Sequence, residues 1–181
     1  MKKVWYSIVA VAFLLPLSAS AADSAAVLDA KVAEAIAAFK EEVNGGDVFL
    51  RQAAGYLVFP RVIKVGIGIG AETGEGALRV AGRTAAYYRT TSGSFGLQLG
   101  AQAKSIVIAF MTKESLAAFR ASSGWQVGID GSVALIDLGA GKQINTKNIK
   151  DPVVGFIFGA KGLMYNLTLE GTKISRVHKD R

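Results

Sequence analysis

VGIGIGAETGEGALRV, residues 65–80, holds five glycines and little bulk beyond two isoleucines. A run this rich in glycine either cradles a phosphate or is a strand with one face stripped of side chains. A dinucleotide loop needs G-x-G-x-x-G between a strand and a helix, because the helix N-terminus holds the pyrophosphate. Here Gly66, Gly68 and Gly70 alternate, Ala71 stands where the third glycine would fall, and the residues that follow are again strand-like. GAGKQ at 139–143 also fails as a phosphate loop, for it lacks the upstream glycine spacing and a Ser or Thr after Lys142. As a strand, the stretch places Val65, Ile67, Ile69 and Ala71 on one face and Gly66, Gly68, Gly70 and Glu72 on the other. Phe95, Leu97, Leu99 and Ala101 alternate in the same way with Gly96, Gln98, Gly100 and Gln102. Glycine weakens a strand interior and marks a bend, a bulge or a close approach. Two bare faces therefore predict a close neighbour, either an aromatic ring such as Tyr87 or Tyr88 lying over the glycines or a ligand or acyl chain.

Outward from this stretch the chain is punctuated by glycine into short β-branched and aromatic runs from Tyr56 to Val177, with turn signals at TGEG, AGR, AKG and EGT. That pattern predicts antiparallel strands in a barrel-like or sandwich core. Before it, Leu28, Val32, Ala35, Ile36, Phe39 and Val43 recur at three- and four-residue steps and predict a helix over 23–43, capped by Asp23 or Ser24 and stopped by Asn44, Gly45 and Gly46. A shorter helix is expected over 47–54. Within the strands, KESLAAFRA predicts one internal helix capped by Thr112, with Leu116 and Phe119 inward. The fold class is α+β: a single domain with N-terminal helices, an antiparallel core and one internal helix.

Residues 1–21 have the form of a secretory signal peptide. Lys2 and Lys3 precede an apolar run from Val4 to Leu17, and Ala19 and Ala21 supply the small-residue cleavage pattern. The run is shorter than the roughly 20 residues of a membrane span, so the mature chain, 22–181, is expected to be soluble and periplasmic or secreted. Losing Lys2 and Lys3 lowers the formal charge from +7 to +5, which favours acidic partners; export makes nucleic acid the poorest of these. The absence of cysteine rules out disulfides, thiol catalysis, Cys-ligated zinc and a lipid anchor at the cleavage site.

Nothing in the sequence advertises catalysis. His178, the only histidine, stands three residues from the C-terminus, where chains fray. Ser92, Ser94 and Ser132 lie in no G-x-S-x-G elbow. Glu72 with Glu75 and Asp130 with Asp137 are accounted for by turns and hairpin edges. No catalytic residue, metal ligand or cofactor is therefore expected. The basic residues carry more information, because they fall in three acid-free intervals: Arg51, Arg61 and Lys64 in the first, Arg79, Arg83, Arg89, Lys104 and Lys113 in the second, and Lys142, Lys147 and Lys150 in the third. Of these, Arg79, Arg83 and Arg89 form one candidate cluster and Lys142, Lys147 and Lys150 the other. Each Lys or Arg near an anionic bilayer contributes about 1 kcal/mol, so these six are the candidate lipid-binding residues.

AAGYLVFPRVIKVGIGIGAETGEGALRV, YYRTTSGSFGLQLGAQAKSIVIAFMT, FRASSGWQVGIDGSVAL and IKDPVVGFIFGAKGLMYNLTLEGTKI resemble the SYLF domain family over about 51–174. The resemblance implies a lipid-binding module without known catalytic residues; yeast and animal relatives bind phosphoinositides and actin. Those relatives use an N-terminal amphipathic helix on membranes, and 23–43 corresponds to it in place rather than in motif, so it could equally pack on the strands. Actin binding does not carry over to an exported bacterial protein. The expected function is binding of anionic phospholipid at the cell envelope, with recognition of a protein or acidic polymer through the same basic surface as the alternative.

Overall fold

A computed structural model describes residues 23–137, 150–162 and 169–180, and the expected leader lies outside them. Helix α1 (Ala25–Glu42) starts where Ser24 Oγ accepts from the Val27 amide, as a serine cap should. Helix α2 (Gly46–Gln52) follows. Strands β1 (Gly55–Val80) and β2 (Arg83–Phe110) form a long hairpin. Its two-residue turn, Ala81 and Gly82, has φ of 49° and 76°, the left-handed pair that matches strand twist. Helix α3 (Lys113–Ala121), capped by Thr112 as expected, leads into β3 (Gly124–Gln126), β4 (Ala134–Asp137), β5 (Val153–Gly162) and β6 (Lys173–Val177).

The six strands form one sheet in the order β3-β6-β2-β5-β4, with β1 along the other edge of β2. All pairings are antiparallel except β4 with β5. The α+β class with N-terminal helices stands. The regular succession of short strands does not, because β1 and β2 run for 26 and 28 residues through glycines that the sequence reads as turns.

Strand β1 doubles back on itself. A Cβ on Gly66 would lie 2.6 Å from Gly70 Cα, one on Gly74 would lie 2.6 Å from the Arg61 carbonyl oxygen, and one on Gly76 would collide with the Val58 carbonyl. These pairs, with Gly55 against Arg79, step symmetrically about Gly68, where the ladder also shifts register between Ile67 and Ile69. The neighbour over the glycines is thus the strand's own backbone. Among the described residues no aromatic ring lies there: nothing is within 4 Å of a Cβ on Gly68, whose φ of +73° is what requires glycine. TGEG is likewise no turn, since Gly74 and Gly76 are the points where the second half of β1 crosses the first.

The sheet packs on both faces. On one, Leu57, Phe59, Leu78, Ile106, Ile108 and Phe110 meet α3 and β3, and the Phe119 ring lies 4.7 Å from Phe110 and 5.6 Å from Trp125. On the other, Val58, Ala77, Val107, Val154 and Phe156 are covered by α1 and α2. Phe39 sits edge-on to Phe156 at 5.1 Å and Phe158 at 5.4 Å. The stripe of α1 is therefore core: Leu28, Val32 and Phe39 are buried against the strands.

Candidate functional site

Beyond the start of α1, the hairpin continues without a cover among the described residues. Here the usual polarity of a strand is reversed. Ile67 is 81% and Ile69 67% exposed, with Ile63 and Val65 also open to solvent. The alternate positions carry charge inward: Lys64, Glu72 and Lys104 are 8%, 5% and 3% exposed. Lys104 Nζ meets Glu72 Oε2 at 3.0 Å and so ties the two halves of the doubled ribbon together. The face read as bare is therefore interior, with Glu72 on it, and the apolar face is the outer one.

At the foot of this face, between the start of α1 and the ribbon, is a cleft of about 540 Å³ lined by Lys31, Arg61, Ile63, Glu75 and Arg89. Most of its charges are paired. Lys31 Nζ lies 2.7 Å from Asp23 Oδ2, while Arg89 Nη2 and Lys179 Nζ donate to the two oxygens of Glu75. Burial works to raise the Glu75 carboxyl, but hydrogen bonds from Lys179 and Arg89 outweigh it and hold the group below its ordinary value. Arg61 is exposed and has no carboxylate partner among the described residues. A cleft with an unpaired guanidinium at the edge of an apolar face suits a ligand with an anionic head and an apolar body.

The sequence-predicted cations do not form one patch. Arg79 is held by α1, donating to the Asp29 carbonyl at 3.3 Å and lying 3.6 Å from the Asp29 carboxylate. The same carboxylate accepts from Thr84 and Tyr87. Arg89 pairs with Glu75 at 2.7 Å. Arg83 is exposed beside the hairpin turn, at the end of the ribbon opposite Gly68, and Lys150 is exposed before β5. Lys142 and Lys147 lie outside the described residues. An interval free of acids in sequence is not free of them in space, because α1 brings Asp29 fifty residues back onto Arg79. Arg61, Lys64 and Lys104 stand in acid-free intervals of the sequence and Glu72 on the glycine face of β1, but none of them was among the candidate binding residues. The signal available for them was the alternation of Arg61, Ile63 and Val65 with Val62 and Lys64, an outward-apolar pattern that reads like any amphipathic strand until the interior face is known.

Residues 91–180 match the family model described as Ysc84: Las17-binding protein actin regulator. The match takes in β2 from Thr91 onward and the elements that follow, including β5 and β6, whereas the resembling stretches begin earlier, just ahead of β1. No curated protein matches the chain.

Proposed function

From the chain's membership of the SYLF domain family, carried by residues 91–180, we propose that this binding module holds anionic phospholipid at the bacterial cell envelope, in the periplasm or after secretion, without catalysing a reaction. The observation that carries the reading is Arg61, without a carboxylate partner among the described residues, in a cleft whose lining includes the exposed Ile63 of β1. The headgroup phosphate would meet Arg61, with Lys31 and Arg89 close enough to exchange their carboxylates for it. The family description names a protein partner and actin regulation, so a protein or an acidic polymer on the same surface is the competing reading. The leader-like residues 1–21 support export, and the mass of the envelope form should correspond to a chain starting at Ala22. A retained Met1 would contradict that.

Charge reversal tests the lipid reading. Arg61→Glu should weaken binding to vesicles of phosphatidylglycerol by on the order of thirtyfold, since two units of charge near an anionic surface are worth about 2 kcal/mol. Arg83→Glu, at the far end of the ribbon, should do much less. Raising the salt should weaken both, because exposed charges are screened over about 8 Å at physiological ionic strength. Equal effects of the two variants would mean that overall charge, and not the cleft, drives association.

A further inference from the structure

Water sorts a strand so that apolar side chains turn inward and charged ones outward. The tip of the doubled ribbon obeys the opposite rule, with Ile63, Val65, Ile67 and Ile69 outside and Lys64, Glu72, Gln102 and Lys104 inside. Single exposed apolar residues are ordinary, but four at alternate positions of one strand make a continuous stripe. Charged interior and apolar exterior at alternate positions is the order that strands adopt against lipid. The tip also stands apart from the rest of the sheet. Between the stretch of β2 paired with β6, which ends at Thr91, and the stretch paired with β5, which begins at Gln102, β2 has only β1 beside it among the described residues.

Resting on the phospholipid reading above, we propose that this tip is a membrane wedge, in which Ile67 and Ile69 enter the boundary between headgroups and acyl chains while Arg61 stays at the level of the phosphates. Charge complementarity selects a membrane as occupant: the apolar stripe begins two residues from an unpaired cation and beside the cleft of Lys31 and Arg89. An apolar insertion and a basic contact are two weak signals that together give stable attachment. The wedge is shallow. From Arg61 to Ile67 the strand can reach at most about 20 Å at roughly 3.3 Å per residue, too short for a hydrocarbon core about 30 Å thick. The open edges of a two-stranded ribbon would also leave backbone groups unsatisfied deeper in. Gly68, with φ of +73° and nothing within 4 Å of where a Cβ would stand, keeps the leading edge narrow. The Lys104–Glu72 pair fastens the two halves behind it, so that the tip enters as a preformed element.

Because the chain contains no cysteine, one introduced thiol carries a polarity-sensitive dye at a single position. Protein labelled at Ile67→Cys should brighten and shift to the blue on mixing with phosphatidylglycerol vesicles, and lipids brominated near the top of the acyl chain should quench it. A label at Ala118→Cys, on the exposed side of α3 at the end where Leu116 packs on Gly55, should do neither. The unlabelled double variant Ile67→Ser/Ile69→Ser should melt at the parent temperature, since both side chains are exposed, yet bind vesicles ten- to a hundredfold more weakly. If the parent binds vesicles but the label at 67 stays in water, the wedge is wrong and the phospholipid reading stands. If the parent does not bind vesicles at all, both fall. If the label at 67 is already shielded without lipid, in a manner that depends on protein concentration, the stripe is an interface between copies and the wedge is again wrong.

Discussion

A glycine can be needed for the space it leaves or for the dihedral it adopts, and β1 contains both cases. At Gly76 the missing Cβ is what lets the second half of the strand cross the Val58 carbonyl. Gly76→Ala should therefore destabilise the fold by about 1–3 kcal/mol, the usual cost of overpacking. At Gly68 there is room but a left-handed φ, so Gly68→Ala should cost about 1–2 kcal/mol from backbone strain alone. Gly93 has neither constraint, with no positive φ and nothing within 4 Å, and Gly93→Ala should stay within about 0.5 kcal/mol of the parent. Chemical denaturation of the three variants measures this order. The alternation of residues 65–72 was legible in the sequence and so was the demand for a close neighbour. Its identity was not, because nothing local says that a strand will fold onto its own backbone, as Gly74 does onto Arg61 and Gly76 onto Val58. Lys104→Met should be more damaging than any of these, at about 3–5 kcal/mol, since it leaves Glu72 charged and buried; adding Glu72→Met should restore most of the loss.

Elements were the most legible level. The helix over 23–43 and the one capped by Thr112 both appear within two residues of their expected bounds, because a cap and a 3.6-residue stripe are local signals. What α1 rests on was left open by the sequence, and Phe39 decides it, being fully buried between Phe156 and Phe158. Phe39→Ala should cost about 3–5 kcal/mol, a loss that a helix reserved for membranes would not show in solution. The C-terminal tie is an element-scale device as well, since Lys179 and Arg89 converge on Glu75 of β1. The carboxylate is favoured in the fold, so its contribution is complete above the ordinary value of 4.5 and is lost as the pH falls through the lower folded value. Melting temperature followed from pH 6 to pH 3 should fall across that window, and Glu75→Gln should flatten the fall. Tyr88 acts at the other end of the scale. Burial raises its phenol above 10.0, against the pull of Arg176 and Arg120, so the neutral form is favoured in the fold. Stability should hold up to about pH 10 and decline as the pH rises through the folded value.

At the scale of the whole molecule, charge is distributed by the fold and not by the order of residues. Arg79 and Arg89 are drawn into ion pairs by Asp29 and Glu75, while Arg61, from the neighbouring acid-free interval, has no carboxylate partner among the described residues. That outcome could not be read from the sequence, since it depends on which partners α1 and β1 bring within 4 Å. The overall excess of positive charge survives the pairing, and the exposed apolar stripe gives it a direction. Binding to vesicles at low ionic strength, followed by flotation as the fraction of phosphatidylglycerol in phosphatidylcholine is raised, tests the central claim most directly. Bound protein should rise steeply with the anionic fraction, with little binding to pure phosphatidylcholine and release on adding salt. Equal binding to neutral and anionic vesicles, or none to either, would contradict it.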